Sequence, residues 1–506
     1  MRNQGLGSWP ARRARMTPAR PAVGYPGIDR TYGDLYDRVT RLAHGLAGLD
    51  VGRGDRIAYL GPNHPSLVET FFAAGLLGAV FVPLNARLAP PELRFLLDDS
   101  GARVVVLGEG EGEGEGEGEG RDGGGLPGRH LSQDAFEELI AGAPADPVDE
   151  PVSQDDICLI MYTSGTTGRP KGAMLTHGNL IWNAVNLLVD VPLAHDEVTL
   201  VSAPLCHIAA LAQTLVPTVL KGGRALLEPS FGVDRTFDLV ESERVTMMFG
   251  VPTMFAALAR SPRWAGADLS SLRHLLCGGA PVPEPLIRTY RERGLPFLQG
   301  YGMTETSPGA LFLGAGHPNA GLGSAGVPCF FSDVRLVAPD GSPAAPGEPG
   351  EVHVQGPNVM PGYWRRPKET AKVLSADGWF RSGDIGVADE DGYVRIRDRI
   401  SDMYISGGEN VYPAEIENVL HAHPAVAECV VIGVPDEKWG ETGKALVVLR
   451  PGASAEPEEL LAHLDGRLAR FKIPRYLELV PDLPRNGAGK LLRASLRKLH
   501  GQQQGR

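Results

Sequence analysis

The chain reads as an α/β protein: a large N-terminal domain of βαβ subdomains with an antiparallel β-subdomain, then a small α+β C-terminal domain. Three observations predict this. Up to about Pro328, short apolar runs alternate with stretches of helical apolar spacing, which implies parallel strands covered by helices on both faces. Between Val334 and about Arg399 the texture changes to alternating strands punctuated by Asp340-Gly341, Asp377-Gly378 and Asp391-Gly392, dipeptides suited to tight hairpin turns. Beyond Asp402 a compact α/β pattern returns over about 100 residues, a usual size for a domain.

Taken in order, residues 32–49 and 65–77 carry helical spacing, while 56–60, 79–84 and 104–107 are apolar strand-like runs. Six glutamates then alternate with glycine over residues 108–120, a tract that can bury no apolar area and reads, with its continuation to residue 128, as a flexible surface insertion. Strand signals resume at 157–162, 198–203, 224–227, 246–249 and 274–276, and the antiparallel texture supplies 334–337, 351–354 and 393–396. In the last part, 413–421 and 458–468 read as helix and 426–434 and 444–449 as strand. These readings divide the chain into an N-terminal domain of residues 1–400 and a C-terminal domain of residues 401–506.

Composition excludes several classes. With 506 residues, 42% hydrophobic and 22% charged, the chain has the average make-up of a globular protein, so neither wholesale disorder nor a fibrous architecture is expected. A net charge of -12 opposes a nucleic-acid role, which needs a basic surface. The five cysteines are scattered without a CxxC pair, excluding a zinc ribbon or disulfide framework and fitting a cytoplasmic setting. Arg12-Arg13 is followed by no apolar stretch, so no secretory signal is expected. The longest greasy run, 71–84, falls short of the roughly 20 residues of a membrane span; peripheral membrane contact is left open. His421 and His423 lack further ligands at metal-site spacing.

The strongest chemical signal is Tyr162-Thr163-Ser164-Gly165-Thr166-Thr167-Gly168-Arg169-Pro170-Lys171-Gly172, directly after an apolar strand. Its glycines, hydroxyls and Lys171 supply backbone N–H, O–H and ammonium donors able to wrap a polyphosphate. It is no Walker A, because Gly168 stands three residues before Lys171 and Gly172 follows it. The segment resembles the signature of the adenylate-forming enzymes, the superfamily of acyl-CoA synthetases, luciferases and peptide-synthetase adenylation domains. Further motifs of that superfamily recur in order over nearly the whole chain, and the set looks closest to actinobacterial fatty-acid–CoA ligases.

Gln299-Gly300-Tyr301-Gly302-Met303-Thr304-Glu305 resembles its second nucleotide segment. Two glycines let backbone approach a flat ring, Tyr301 can stack on it, Thr304 can bond a phosphate and Glu305 offers Mg²⁺ a hard oxygen; the resemblance implies that Glu305 shares that metal with Thr163. Gly278, Gly279, Ala280 and Pro281 are similar to the segment lining adenine and acyl group. Asp384 and Arg399 match residues that bond the ribose. Asp402 corresponds to the hinge, Gly407 and Gly408 to the turn that contacts CoA, and Lys490, in Pro484-Arg485-Asn486-Gly487-Ala488-Gly489-Lys490, to the catalytic lysine. Two departures are Ser401, where many relatives have Lys, and Ala488, where they commonly have Thr.

The resemblance implies an enzyme, an AMP-forming acid–thiol ligase: carboxylate and MgATP give an acyl-adenylate and pyrophosphate, and CoA then displaces AMP. Lys490 would bridge carboxylate and α-phosphate, with Thr166, Thr167 and Lys171 holding the leaving pyrophosphate. His207, Ile208 and Ala209 match the mouth of the acyl pocket, which is sketched by residues 208–212, 251–255, 278–280 and 302–303. These are apolar or small. No cation among them would hold a second carboxylate, and plant-type coumarate ligases usually carry Tyr where Ala209 stands. A medium-to-long fatty acid is therefore the expected substrate, with an aryl acid, a ligase that loads a carrier protein, or a silent nucleotide-binding protein as alternatives.

Overall fold

The computed structural model describes residues 2–108, 126–163, 169–279, 282, 284–314, 323–399, 404–411, 413–484 and 493–500; almost all of the glycine–glutamate tract lies outside them. The chain divides into two compact units, one of Met1–Ala86, Leu97–Met161 and Gly172–Asp398, the other of Arg87–Leu96, Tyr162–Lys171 and Arg399–Arg506.

In the first unit the βαβ reading holds. Strands Pro21–Tyr25, Arg224–Leu227, Val198–Val201, Met247–Gly250, His274–Cys277 and Phe297–Gly302 lie side by side and parallel. A second sheet pairs Arg56–Leu60, Val80–Leu84, Val104–Leu107 and Arg129–Leu131 in parallel, with Ile157–Thr163 beside Val80–Leu84. Strands buried on both faces send alternate residues to opposite cores. Val201, Met247, Leu276 and Leu298 join one apolar cluster, with Phe72 and Leu180 of helices Pro65–Leu77 and His177–Asp190. Their neighbours Leu200, Met248, Leu275 and Phe297 join another, with Phe237, Phe255 and Tyr290. Helix Tyr32–Ala47 starts at a capping box in which the Thr31 hydroxyl accepts from the Asp34 amide and Asp34 accepts from the Thr31 amide, which satisfies two otherwise unpaired donors.

The antiparallel subdomain is also as expected: Asp333–Val337, Pro349–Gln355, Phe380–Ala388 and Val394–Arg399 form one sheet. Some strands carry no clear period in the sequence. Ile28–Thr31 turns back on Pro21–Tyr25, and Gly309–Leu313 on Phe297–Gly302, so both ends of the large parallel sheet finish antiparallel. Each is four or five residues long, too short for alternation to stand out.

In the second unit, Val426–Asp436 and Gly440–Leu449 pair antiparallel, and Tyr476–Leu479 adds in parallel. Helices Pro413–His421 and Pro457–Leu464 bury Ile416, Leu420, Leu460 and Leu464 against Val431 and Val447. Among the described residues no helix is long and apolar enough to cross a membrane.

Candidate active site

The first unit gathers the second nucleotide segment at one end of its parallel sheet. Cys277 stands opposite Gln299 in register, so Gly278 and Gly279 follow directly beside Gly300 and Tyr301. A Cβ on Gly278 would lie 2.9 Å from the Gly300 carbonyl oxygen; glycine is what allows these two strand ends to close on each other. The constraint at Gly302 is harder, since a Cβ there would fall 1.5 Å from the Pro308 carbonyl oxygen.

Two of the expected ligands are held by tyrosines. The Tyr301 hydroxyl donates to Asp384 Oδ2 at 2.7 Å, and Asp384 is 2% exposed on strand Phe380–Ala388. Glu305 sits in the short turn Thr304–Thr306. Its Oε1 accepts from the Tyr363 hydroxyl at 2.8 Å and its carbonyl from the Met360 amide at 2.9 Å. The turn is braced further by Asn358, fully buried, whose Nδ2 donates to the carbonyls of Thr306 at 2.8 Å and Gly309 at 2.6 Å. Tyr363 and Asn358 were not legible as site residues: they lie more than 50 residues from Glu305, and only the fold brings them to it. Carboxylate Glu305 is the donor a hard dication prefers, so this part of the site fits Mg²⁺.

His207 immediately precedes the short helix Ile208–Ala210, and its carbonyl accepts from the Leu211 amide at 3.2 Å. One π-helical turn, Leu211–Leu215, follows, a form common at functional sites. Ile208 is buried, Ala209 and Met303 are half-buried, and all three pack in or against the main core. Asn183, buried on helix His177–Asp190, ties this turn to the sheet: its Nδ2 donates to the Ala212 carbonyl and its Oδ1 accepts from the Gly309 amide, both at 3.1 Å.

In the second unit, Thr163 and Lys171 flank the segment expected to bind phosphate, and the Thr163 hydroxyl donates to the Lys171 carbonyl at 3.4 Å. Gly407 and Gly408 form the tip of the hairpin Tyr404–Ser406 with Glu409–Val411. Both have positive φ, and the Gly407 amide donates to the Trp439 carbonyl at 2.9 Å. Ser164, Gly165, Thr166, Thr167, Gly168, Ala280, Pro281, Asp402 and Lys490 lie outside the described residues, as does the side chain of Arg399.

The glycine-shaped strand end thus stands with a buried carboxylate, Asp384, and a clamped one, Glu305, in the same unit. The chain belongs to the AMP-binding enzyme family, whose profile matches residues 10–364, and the profile of the AMP-binding enzyme C-terminal domain matches residues 415–490. It is an AMP-forming acyl-CoA synthetase, a carboxylic acid–CoA ligase with ATP and CoA as substrates. Among its relatives, a feruloyl-CoA synthase of Amycolatopsis is 55% identical over 99% of this chain and 100% of its own. A long-chain-fatty-acid–CoA ligase of Mycobacterium tuberculosis is 37% identical over 96% of each chain. The solved structure of o-succinylbenzoate CoA synthetase from Bacillus subtilis with a product analogue is 35% identical, covers 97% of this chain and 98% of its own, and has a TM-score of 0.87. The reaction expected from the sequence, a carboxylic acid–CoA ligase, is what these relatives share, while their names cover aryl acids as well as the fatty acids expected for this chain. An apolar lining had suggested alkyl chains, but an aromatic ring asks for the same lining.

Proposed function

We propose that this ligase activates an aryl carboxylic acid of the hydroxycinnamate type. The observation that carries the reading is the 55% identity over essentially the whole chain to a protein named for feruloyl-CoA synthesis. The small residues Ala209, Gly279 and Gly302 of the acyl segments fit it, because a flat ring packs against backbone that has no large side chains in the way.

The roles follow the resemblance. Tyr301 stacks on adenine, with Gln299, Gly300 and Gly279 beside it, while Asp384 and Arg399 hold the ribose. Thr163 to Gly168, Thr304 and Lys171 hold phosphate oxygens. Glu305 and Thr163 are the residues that would hold Mg²⁺, which supplies charge neutralisation of the triphosphate when bound. Lys490 aligns the attacking carboxylate with the α-phosphate, so its work is positioning and electrostatic stabilisation in the adenylation step. For thioester formation Lys490 withdraws by rotation about Asp402, and Gly407 and Gly408 contact CoA.

The test is a panel of acids with MgATP, with and without CoA, resolving acyl-AMP and acyl-CoA by mass spectrometry. Feruloyl- or coumaroyl-CoA at higher kcat/KM than any alkanoyl-CoA is the expected result; a preference for alkanoates overturns the aryl reading. In the same assay Lys490→Ala should lose adenylate formation by roughly 100-fold or more while thioester formation from supplied acyl-AMP is largely kept. Equal loss in both half-reactions would refute the lysine's role.

A further inference from the structure

We propose that the Gln213 carboxamide recognises a hydroxyl on the ring of the acid, an inference that rests on the aryl-acid reading and names the residue that refines it. Gln213 lies in the π-helical turn Leu211–Leu215, which continues the short helix behind His207. It is the most polar side chain of the run Ala209-Ala210-Leu211-Ala212-Gln213-Thr214-Leu215, and it falls one position beyond the pocket stretch 208–212 drawn from the sequence.

The position of the carboxamide is informative. A Cβ on Gly309 would lie 3.6 Å from Gln213 Nε2 and 3.0 Å from Asn183 Oδ1. Gly309 is the register partner of Gly302, and Met303 follows. The carboxamide therefore lies against the strand pair that carries the acyl segment, with Ala209 one helical turn before it. Asn183 beside it already bonds main chain with both ends of its amide. Gln213 does not, for its Oε1 is buried and has no hydrogen-bond partner among the described residues. A buried acceptor left unpaired costs stability unless something donates to it.

A hydroxyl carried by the substrate ring is the donor that fits. The amide is neutral, so it does not select a second carboxylate, which would need a cation. An alkyl chain brings no donor at all. A phenol brings one O–H at a fixed distance from the reacting carboxylate, and Ala209, one turn before Gln213, carries only a methyl group. Selectivity built on a buried polar group is strong, because the analogue without the hydroxyl leaves the acceptor unpaired.

The experiment compares kcat/KM for 4-hydroxycinnamate and cinnamate in the wild-type enzyme, in Gln213→Met, and in Gln213→Glu, which keeps an acceptor. The wild type should favour the hydroxylated acid by about 10-fold or more, the ratio should fall to about one in Gln213→Met, and Gln213→Glu should keep a preference. The change should lie mainly in KM. A wild type that turns over both acids equally overturns the inference whatever the variants do, and so does a Gln213→Met enzyme that keeps the wild-type ratio. A wild type that activates alkanoates and neither cinnamate overturns the aryl-acid reading itself, and the inference with it.

Discussion

Tyr363 shows how much of this site depends on single contacts. Its hydroxyl is the donor that fixes Glu305 Oε1, and both side chains are largely buried, so the carboxylate is oriented before any metal arrives. Tyr363→Phe removes that bond and leaves the ring in place. Because a hydrogen bond to a charged group contributes about 1.5–3 kcal/mol, the expected outcome is a rise of about tenfold or more in the Mg²⁺ concentration needed for half-maximal adenylation, with little change in KM for the acid. A Mg²⁺ titration of pyrophosphate release measures it. Glu305 was legible because its chemistry is written in adjacent residues, glycines, tyrosine and threonine in one run. Tyr363 and Gln213 were not, since nothing next to them in sequence says which strand they will face. A polar side chain inside an apolar helical run was the one available hint for Gln213.

At the scale of elements, the turn from Thr304 to Gly309 is held from outside itself. It carries Glu305, yet its carbonyls at Thr306 and Gly309 are satisfied by Asn358, a residue of the connection between strands Pro349–Gln355 and Gly362–Tyr363. Asn358 also accepts from the Ser332 hydroxyl at 2.8 Å. Asn358→Ala would strand two buried carbonyls, each costing about 1–3 kcal/mol. Thermal unfolding should show a loss of about 2–4 kcal/mol, since part of the gap relaxes, and activity should fall at temperatures well below the shifted midpoint. The long strands and helices around this turn could be read from periodicity alone. The brace could not, because it pairs residues of two elements that share no pattern.

For the whole molecule, the N-terminal arm gives a test of acid sensitivity. His177 begins helix His177–Asp190, is 1% exposed, and its Nδ1 accepts from the Leu6 amide at 3.1 Å. Burial pushes its pKa down from 6.5 to about 4, a shift that Asp156 opposes and Arg53 reinforces. A proton on Nδ1 would face the Leu6 N–H, so the folded chain keeps this ring neutral. Between about pH 6.5 and 4 the unfolded chain binds more protons than the folded one, and stability therefore rises with pH across that window. It is full above pH 6.5 and is lost as pH falls, by about 2 kcal/mol at pH 5 from this residue. His177→Gln can still accept from Leu6 and does not titrate. The stability gap between wild type and this variant should narrow by that amount from pH 7 to 5 in urea unfolding, and a constant gap would refute the assignment. The fold class and sheet content were legible at this scale because apolar spacing repeats over hundreds of residues, whereas the clamping of an N-terminal arm by one imidazole leaves no repeat to read.

Gly302 has a consequence for anyone who would retune this enzyme. With a carbonyl oxygen standing where its first side-chain atom would go, the position tolerates no side chain, however small. Libraries that randomise position 302 will return mostly unfolded protein. Ala209 and Gln213, in the helical run behind His207, already carry a Cβ, so substitution there does not drive a side chain into backbone. For the proposed acyl site, the acid repertoire is to be retuned at those helical positions and not at Gly302.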